Sequence, residues 1–335
     1  MTSSTQVAME ITSEEKEAIE TIRNRIMEES STDPDAFDEC DLKRIRDDAY
    51  VKRFLDERYG KVKDAIKMLS DCLRWRKSFG VNTMTRDDFP KEIFQVGELH
   101  EFYKDKNNIT TLYLRIERHR ALSGWMPMIK RYIVFMIERA ERQAARNGHG
   151  IGLVVDARRG SISHVEIELD FFAVKAILNY YPGSLQYLAV YEIPWLLMAI
   201  LKLVKSWFPP QYQNKFHFLN PNNIDDFLGL DNVPDYMGGK KAMLWPEEVF
   251  ISPSTAELEE RGVLPKGSTN LVKTSYASAL QDFYDCKDKQ VLKTIKDGDE
   301  EIQIVKNGED SLKEIVPKTN QAISNPSTGE ILVTS

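Results

Sequence analysis

Short runs of strand-forming residues alternate with helical segments through the middle of the chain. Four runs rich in β-branched and aromatic residues are TTLYLRI at 110–116, IGLVVDA at 151–157, LQYLAVY at 185–191 and KFHFL at 215–219. Segments with helical spacing of apolar residues separate them, at 128–146, 165–181 and 195–208. This alternation is typical of an α/β domain. Because Leu153 to Val155 is continuously apolar, we expect a mixed, largely parallel sheet covered by flanking helices.

Residues 11 to about 80 carry helical signals. The last of these helices, predicted at 61–79, has an apolar stripe and ends at Gly80, a residue that favours helix termination. We therefore expect a small all-helical domain over 1–90, followed by the α/β domain over 91–250. The α/β domain is predicted to close near 233–245, where VPDYMGG combines proline and glycine turn residues.

The composition changes after residue 250 to Ser, Thr, Lys, Asp and Glu, with few large apolar residues. Such a segment buries too little apolar surface to offset the entropy that is lost when a chain becomes ordered. The sequence therefore predicts a mostly disordered acidic and polar tail over 251–335.

Charge and motif content narrow the classes of function. The 335-residue chain has a formal net charge of −7, so nucleic acid is not an expected partner. Three widely spaced cysteines indicate a reducing compartment such as the cytoplasm. The sequence has no nucleophile elbow, no dinucleotide-binding loop and no histidines at metal-ligand spacing. We therefore expect a protein that is not an enzyme and that holds neither a cofactor nor a metal.

Membrane-directing segments are also not expected. The N-terminus lacks the basic start and apolar stretch of a signal peptide. The longest apolar run, at 193–201, is well short of the roughly 20 residues that span a bilayer.

The segment 195–208, which follows Pro194, is apolar around nearly its whole circumference. Its apolar residues are Trp195, Leu196, Leu197, Met198, Ile200, Leu201, Leu203, Val204, Trp207 and Phe208, and Lys202 and Lys205 share a narrow basic edge. A surface helix has one apolar stripe, so this pattern needs an explanation. It is compatible with a helix buried on all sides, an oligomer interface, or a movable lid between a ligand and a membrane. The tryptophans and lysines favour the lid, because both suit a membrane interface.

Several motifs between about residue 40 and residue 245 resemble the CRAL-TRIO lipid-binding family. One is a helical segment that ends in LRWRK. The others follow in the family's order and spacing, and they are VVDARRGSIS, NYYPGSLQYLAVYEIPW, and KFHFLN followed by LDNVPDYMGG. The resemblance implies a helical domain from about residue 40 and then a sheet and helices that enclose one lipid.

The resemblance also assigns roles to parts of the cavity. It implies that the segment 195–208 is a gate and that the helix at 165–181 and the sheet line the lipid cavity. The cavity-facing positions expected on the central strand are Ile151, Leu153 and Val155.

The expected headgroup site departs from that of the family's phosphatidylinositol carriers. Arg58 and Lys215 match the arginine and lysine that hold the headgroup in those proteins. Gly183 stands where they have a glutamate, and Ile151 and Leu153 replace polar strand residues. An inositol headgroup would lose much of its hydrogen bonding here. We therefore expect another phospholipid or a neutral lipid.

A short motif in the predicted tail resembles the two-phenylalanines-in-an-acidic-tract motif. Such motifs bind the major sperm protein domain of VAMP-associated proteins on the endoplasmic reticulum. The matching residues are Asp282, Phe283, Tyr284, Asp285, Cys286 and Asp288. An amphipathic turn packed on the domain is the other interpretation of this segment.

Together these features predict a non-enzymatic cytoplasmic protein that binds a lipid and transfers or presents it at membrane surfaces, with endoplasmic reticulum contact sites as one location. The alternative is a protein interaction module that uses the segment 195–208 as a permanent interface.

Overall fold

The computed structural model describes residues 11–147, 150–242, 245, 248–287, 295–297, 300–304 and 315–317. Four N-terminal helices come first, and they are α1 (Ser13–Thr32), α2 (Glu39–Arg44), α3 (Asp48–Glu57) and α4 (Val62–Phe79). Thr12 and Glu15 form a capping box at the start of α1, and Gly80 ends α4 in the left-handed conformation. The apolar faces of α1, α3 and α4 bury a common core, as the helical pattern predicted.

A five-stranded sheet forms the centre of the α/β domain. Its strands are β1 (Leu99–Lys104), β2 (Thr110–Arg115), β3 (Ile151–Asp156), β4 (Leu185–Tyr191) and β5 (Phe216–Leu219). They lie in the order β1-β2-β3-β4-β5, with β1 antiparallel to β2 and the other pairs parallel. The predicted mixed, largely parallel sheet with flanking helices is therefore confirmed.

Helices cover both faces of this sheet. Helix α5 (Lys91–Val96) precedes β1 and helix α9 (Ile224–Leu228) follows β5. The parallel strands are connected through α6 (Met126–Asn147), α7 (Ile167–Tyr180) and α8 (Met198–Ser206). On one face Val154 and Ala189 pack against α9 and the turns that follow it. The other face, together with α6, α7 and α8, surrounds a cavity.

Helix α4 joins the N-terminal helices to the α/β domain. Trp75 stacks on Tyr180 of α7, with ring centroids 3.8 Å apart and ring planes 4° from parallel. At the next position, the buried Arg76 guanidinium donates to Asp41 at 2.8 Å and to Glu138 of α6 at 2.5 Å. Burial opposes the charge on Arg76, but the two carboxylates raise its pKa above the ordinary value.

The prediction of a disordered tail from residue 251 is wrong for residues 251–287. This segment forms α11 (Thr255–Glu260), α12 (Ser268–Ser275) and α13 (Ala277–Lys287), after the short α10 (Glu248–Ile251). Four side chains spaced along two of these helices, Val272, Tyr276, Ala279 and Phe283, are buried in the same core as α5 and α6. A low average content of apolar residues concealed this stripe, because a helix needs only a few of them on one side. The predicted domain boundary at residue 250 therefore divides a continuous core.

The rest of the predicted tail falls mostly outside the described residues. Within it the structure has three short antiparallel strands, β6 (Ile295–Asp297), β7 (Glu300–Ile304) and β8 (Ile315–Pro317). Among the described residues, no helix combines the length and the apolar character that crossing a membrane requires.

Candidate functional site

An apolar cavity of about 250 Å³ lies between the sheet and helices α6, α7 and α8. Ile151, Leu153 and Val155 of β3 all line it. Side chains two residues apart on a strand share a face, so these three point into the same space. The pairing of strands extends the lining sideways, since Leu153 lies beside Leu112 on β2 and Leu188 on β4.

Two long helices form the walls that flank the sheet. Helix α7 and the residues just before it contribute Val165, Leu169, Ala173, Val174 and Ile177. Helix α6 contributes Ile129, Tyr132, Ile133 and Ile137, which the sequence interpretation did not assign to the cavity. Counted from Ile129, the other three lie three, four and eight residues further along, and this spacing identifies one face of a helix.

The segment 195–208, here called the gate segment, closes the cavity. It consists of a 3-10 turn at Trp195–Leu197, helix α8, and then Trp207 and Phe208, rather than one continuous α-helix. The residues that line the cavity are Leu197, Ile200, Leu201, Val204 and Phe208. The inner side of the gate segment is therefore part of the cavity wall.

The outer side of the gate segment faces solvent although it is apolar. Trp195 is 84% exposed, and Leu196 and Leu203 are each 43% exposed. Met198 and Trp207 are half-buried and do not line the cavity. The gate segment is thus not buried on all sides, which removes one of the three interpretations of its sequence.

The predicted headgroup residues lie outside the cavity lining. Arg58 caps the end of α3, and Lys215 donates to the carbonyl oxygen of Leu185. Neither residue is among those that line the cavity. Burial lowers the pKa of Lys215 even though Glu57 lies nearby.

Gly183, at the position of the family's glutamate, adopts a left-handed conformation with φ of +70°. A side chain there would meet the aliphatic part of Arg53. The Arg53 guanidinium donates to Glu141 at 2.9 Å and to the carbonyl of Pro182 at 2.7 Å, and it also contacts Ser184. The position of the family's glutamate therefore carries no side chain, and the neighbouring Arg53 is held by hydrogen bonds within the protein.

One polar group on the cavity wall was not found from the sequence. Glu98, His119, His164 and Asp170 line the cavity together, although they come from four separate segments. Nδ1 of His119 lies 2.8 Å from Glu98. The spacing of these residues along the chain is irregular, so no sequence signal relates them. The described residues contain no cluster of His, Cys, Asp and Glu suited to a metal ion.

The predicted partner motif is part of helix α13, and its central phenylalanine is inaccessible. Phe283 is 2% exposed and meets the ring of Trp245 edge-on at 4.8 Å, while Asp282 forms an ion pair with Arg118 at 2.6 Å. Tyr284 and Asp285 are exposed, Cys286 lies in the last turn of α13, and Asp288 falls outside the described residues. A peptide that binds a partner through this motif needs both aromatic rings free. The motif prediction is therefore corrected: these residues belong to an amphipathic helix that packs on the domain.

The fold and the cavity define a class: an α/β domain built around an apolar cavity, one wall of which is also apolar on its solvent side. Comparison with known proteins agrees with this class. The model of the CRAL/TRIO domain family matches residues 99–239, so the chain contains a CRAL/TRIO domain.

Relatives of the chain support the same assignment. A CRAL-TRIO domain-containing protein of Schizosaccharomyces pombe is 25% identical over 202 residues, which are 57% of this chain and 45% of that protein. A protein named SEC14 cytosolic factor, from Yarrowia lipolytica, is 24% identical over 262 residues, covering 68% of this chain and 52% of the relative. The chain thus spans about half the length of these two relatives. The crystal structure of Sfh5 shares the fold, with a TM-score of 0.51 at 14% identity over 75% of this chain and 98% of Sfh5.

Proposed function

We propose that the chain binds one lipid in the cavity and transfers or presents it at a membrane surface, and that movement of the gate segment opens the cavity for exchange. The observation that carries the proposal is the gate segment itself. Its inner side lines an enclosed apolar chamber, and its outer side exposes Trp195, Leu196 and Leu203. Members of the CRAL/TRIO and Sec14-like families are lipid-binding and transfer proteins, which supports the same function.

The energetics of hydrocarbon explain why such a carrier needs a closed chamber. Each methylene group kept from water contributes about 0.8 kcal/mol, so a long acyl chain exposed to water costs on the order of 10 kcal/mol. Opening the gate segment in water would expose both of its apolar sides. Opening it at a bilayer exposes neither, so membrane contact would favour exchange of the lipid.

The surface around the gate segment suits a membrane. Phe171 of α7 is 40% exposed and adjoins Trp207, so it extends the apolar surface beyond the gate segment. Lys202 is exposed beside these residues and can reach anionic headgroups while its stem covers apolar surface. We propose that this surface docks on the cytoplasmic side of membranes.

The ligand is proposed to be a lipid other than phosphatidylinositol held in the usual way. Arg53 is already paired with Glu141, and Gly183 offers no side chain to an inositol ring. The strand positions Ile151 and Leu153 are apolar and line the cavity. The ligand would therefore be held mainly through its hydrocarbon.

We propose that the chain is related to the CRAL-TRIO part of motile sperm domain-containing protein 2, because VYEIPWLLMAILKLVKSWF resembles that part of it. The proposal does not extend to a VAMP-associated protein as partner, because Phe283 is buried. A constitutive dimer through the gate segment is the competing function. Size measurement in solution separates it from a lipid-loaded monomer.

Mass spectrometry of lipids that co-purify with the protein tests the ligand. We expect one lipid per chain, and stoichiometric phosphatidylinositol would contradict the proposed ligand class. Protein without any lipid, present as a constitutive dimer, would support the competing function instead.

Flotation with phosphatidylcholine and phosphatidylserine vesicles tests the docking surface. Trp195→Ala is expected to reduce vesicle binding several-fold without changing the melting temperature, because the side chain is 84% exposed. Tyr284→Ala is the matched control, since it removes an exposed aromatic ring from α13. Equal loss of binding in both variants would count against a membrane role for the gate segment.

A further inference from the structure

An acid-rich polar group interrupts the otherwise apolar cavity wall. It comprises Glu98, just before β1, His119, which follows β2, and Glu166 and Asp170 at the start of α7. We call these four residues the His119 pole. Glu98, His119 and Asp170 line the cavity directly. Tyr132, Tyr181 and Ser184 also line the cavity, but the Tyr132 hydroxyl donates to Leu99 and the Ser184 hydroxyl contacts Arg53. The pole is the group of cavity-lining residues that brings charged side chains together, so a ligand's polar end would find its partners here.

His119 is the central member of the pole and is almost fully buried, with 8% of its surface exposed. Its Nδ1 lies 2.8 Å from Oε1 of Glu98, and its Nε2 lies 3.3 Å from Oε2 of Glu166. That second contact lacks hydrogen-bond geometry, so among the described residues Nε2 has no hydrogen-bond partner. Burial opposes the charge on His119, but its hydrogen bond to Glu98 and the neighbouring carboxylates raise its pKa above the ordinary value.

Asp170 lines the cavity from the first turn of α7. Within the described part of the chain, no hydrogen bond reaches its side chain. Burial raises the pKa of Asp170 to about 6. The charge of His119 opposes this rise, and the charges of Glu166 and Glu98 assist it. A carboxyl group on an apolar wall is destabilising until a hydrogen-bond donor reaches it.

The charges around the pole favour donors over anions. Three carboxylates surround one imidazole. The guanidinium of Arg120 lies on the same side, but it donates to the carbonyl oxygens of Glu117 at 2.9 Å and His119 at 2.7 Å. His164 also borders the group, and burial lowers its pKa, so it stays neutral at physiological pH.

We propose that the His119 pole receives the hydrogen-bond-donating head of the enclosed lipid, a hydroxyl or a protonated amine, with Asp170 as the main acceptor. This proposal rests on the proposed lipid-binding function and specifies the chemical class of its ligand. A donor head would satisfy Asp170 and remain compatible with Glu98 and Glu166. A phosphate would bring more negative charge beside three carboxylates, which is unfavourable at short range.

Four tritium-labelled probes with the same 18-carbon chain test the proposal, namely oleyl alcohol, oleylamine, methyl oleate and oleate. Each is offered to the full chain at pH 7.5 in phosphatidylcholine vesicles, and protein-bound label is counted after the vesicles are removed by flotation. The variants are Asp170→Asn and His119→Gln. Glu168→Gln is the control, because Glu168 is a solvent-exposed residue on the same helix that pairs with Lys130.

Each probe has the same affinity for the vesicles in every experiment. The ratio of wild-type to variant binding therefore reports only the effect of the pole. We expect Asp170→Asn to lower binding of the alcohol, the amine or both by about tenfold, the effect of replacing a charged hydrogen-bond acceptor by a neutral one. Methyl oleate binding should be unchanged by either pole variant, which also shows that the cavity is intact. Selective loss of the amine identifies an amine head, and equal loss of both probes identifies a hydroxyl.

Two results overturn the proposal, and a third overturns the function on which it rests. Unchanged binding of the alcohol and the amine in both pole variants would mean that lipid binds without the pole. Strongest binding of oleate would mean that the pole selects anions. If none of the four probes binds the wild-type protein, the lipid-binding function itself fails.

Discussion

The ring of Phe171 on α7 meets the indole of Trp207 edge-on, with ring centroids 5.2 Å apart and planes at 78°. This contact packs the end of the gate segment against α7, which forms the neighbouring cavity wall. Edge-to-face aromatic pairs contribute about 0.5–1.5 kcal/mol beyond their buried area. In the proposed function, the pair would stabilise the closed position of the gate segment, and opening would require only this modest energy.

Phe171→Ala is expected to increase the rate of lipid transfer between vesicles about fivefold, because about 1 kcal/mol of the closed state's stability is lost. Stopped-flow transfer of a fluorescent lipid measures this rate. Ile167→Ala removes a similarly exposed side chain one turn earlier on α7 and should leave the rate unchanged. Equal rates in the two variants would show that the aromatic contact does not hold the gate.

Phe283→Ala should lower the free energy of unfolding by about 3–5 kcal/mol, the usual effect of truncating a buried phenylalanine. The ring fills space beside Trp245 and Phe250. Tyr284→Ala, at the next position and 51% exposed, should change stability by less than about 0.5 kcal/mol. Urea denaturation measures both. A wild-type midpoint for Phe283→Ala would argue for an accessible ring and restore the partner motif.

Arg76→Met should destabilise the protein by about 3–5 kcal/mol, because it leaves the carboxylates of Asp41 and Glu138 without their cation. Both the helical domain and α6 lose a partner, so the attachment between them weakens. Lys67→Met breaks the exposed ion pair with Asp71 and serves as the control, with an expected change below about 0.5 kcal/mol. Chemical denaturation distinguishes the two, and a small effect at Arg76 would mean that packing alone joins the domains.

Asp170→Asn should stabilise the protein without lipid at pH 7.5, and the gain should disappear towards pH 4. Because burial raises the pKa of Asp170 from an ordinary value of 3.8 to about 6, the folded state binds more protons than the unfolded state between these values. Stability from this group therefore falls as the pH rises through that window and stays low above it. The difference between variant and wild type is at most about 3 kcal/mol. Thermal melts from pH 4 to 8 measure it, and a difference that does not vary with pH would contradict the assignment.

Regular local patterns made much of this fold predictable. The order of strands and helices along the chain and the two-sided apolar character of the gate segment follow from residue spacing. The cavity-facing role expected for Ile151, Leu153 and Val155 came from the family resemblance. A strand repeats every two residues and a helix every 3.6, so both can be recognised within a short window of sequence.

The expectations for the tail and for the headgroup residues rested on weaker sequence signals or on contacts between distant parts of the chain. The stripe that includes Tyr276 and Phe283 is too sparse to change the average composition of its segment, so the segment resembled a disordered tail. Arg58 and Lys215 were assigned by family resemblance, and Lys215 is instead engaged by the main chain at Leu185. Family resemblance supplies a residue type at a position but not the neighbours that occupy its hydrogen bonds.

The linear order of residues is sufficient for the architecture, for the apolar cavity strand and for the unusual helix after Pro194, because each depends on neighbours in the chain. The His119 pole depends on something different. Glu98, His119 and Asp170 come from three segments that meet only when the sheet and α7 pack together. Burial then changes the pKa of Asp170 and removes water from His119. Proximity and desolvation arise from packing between distant segments, so the chemistry of the pole is visible only in the folded chain.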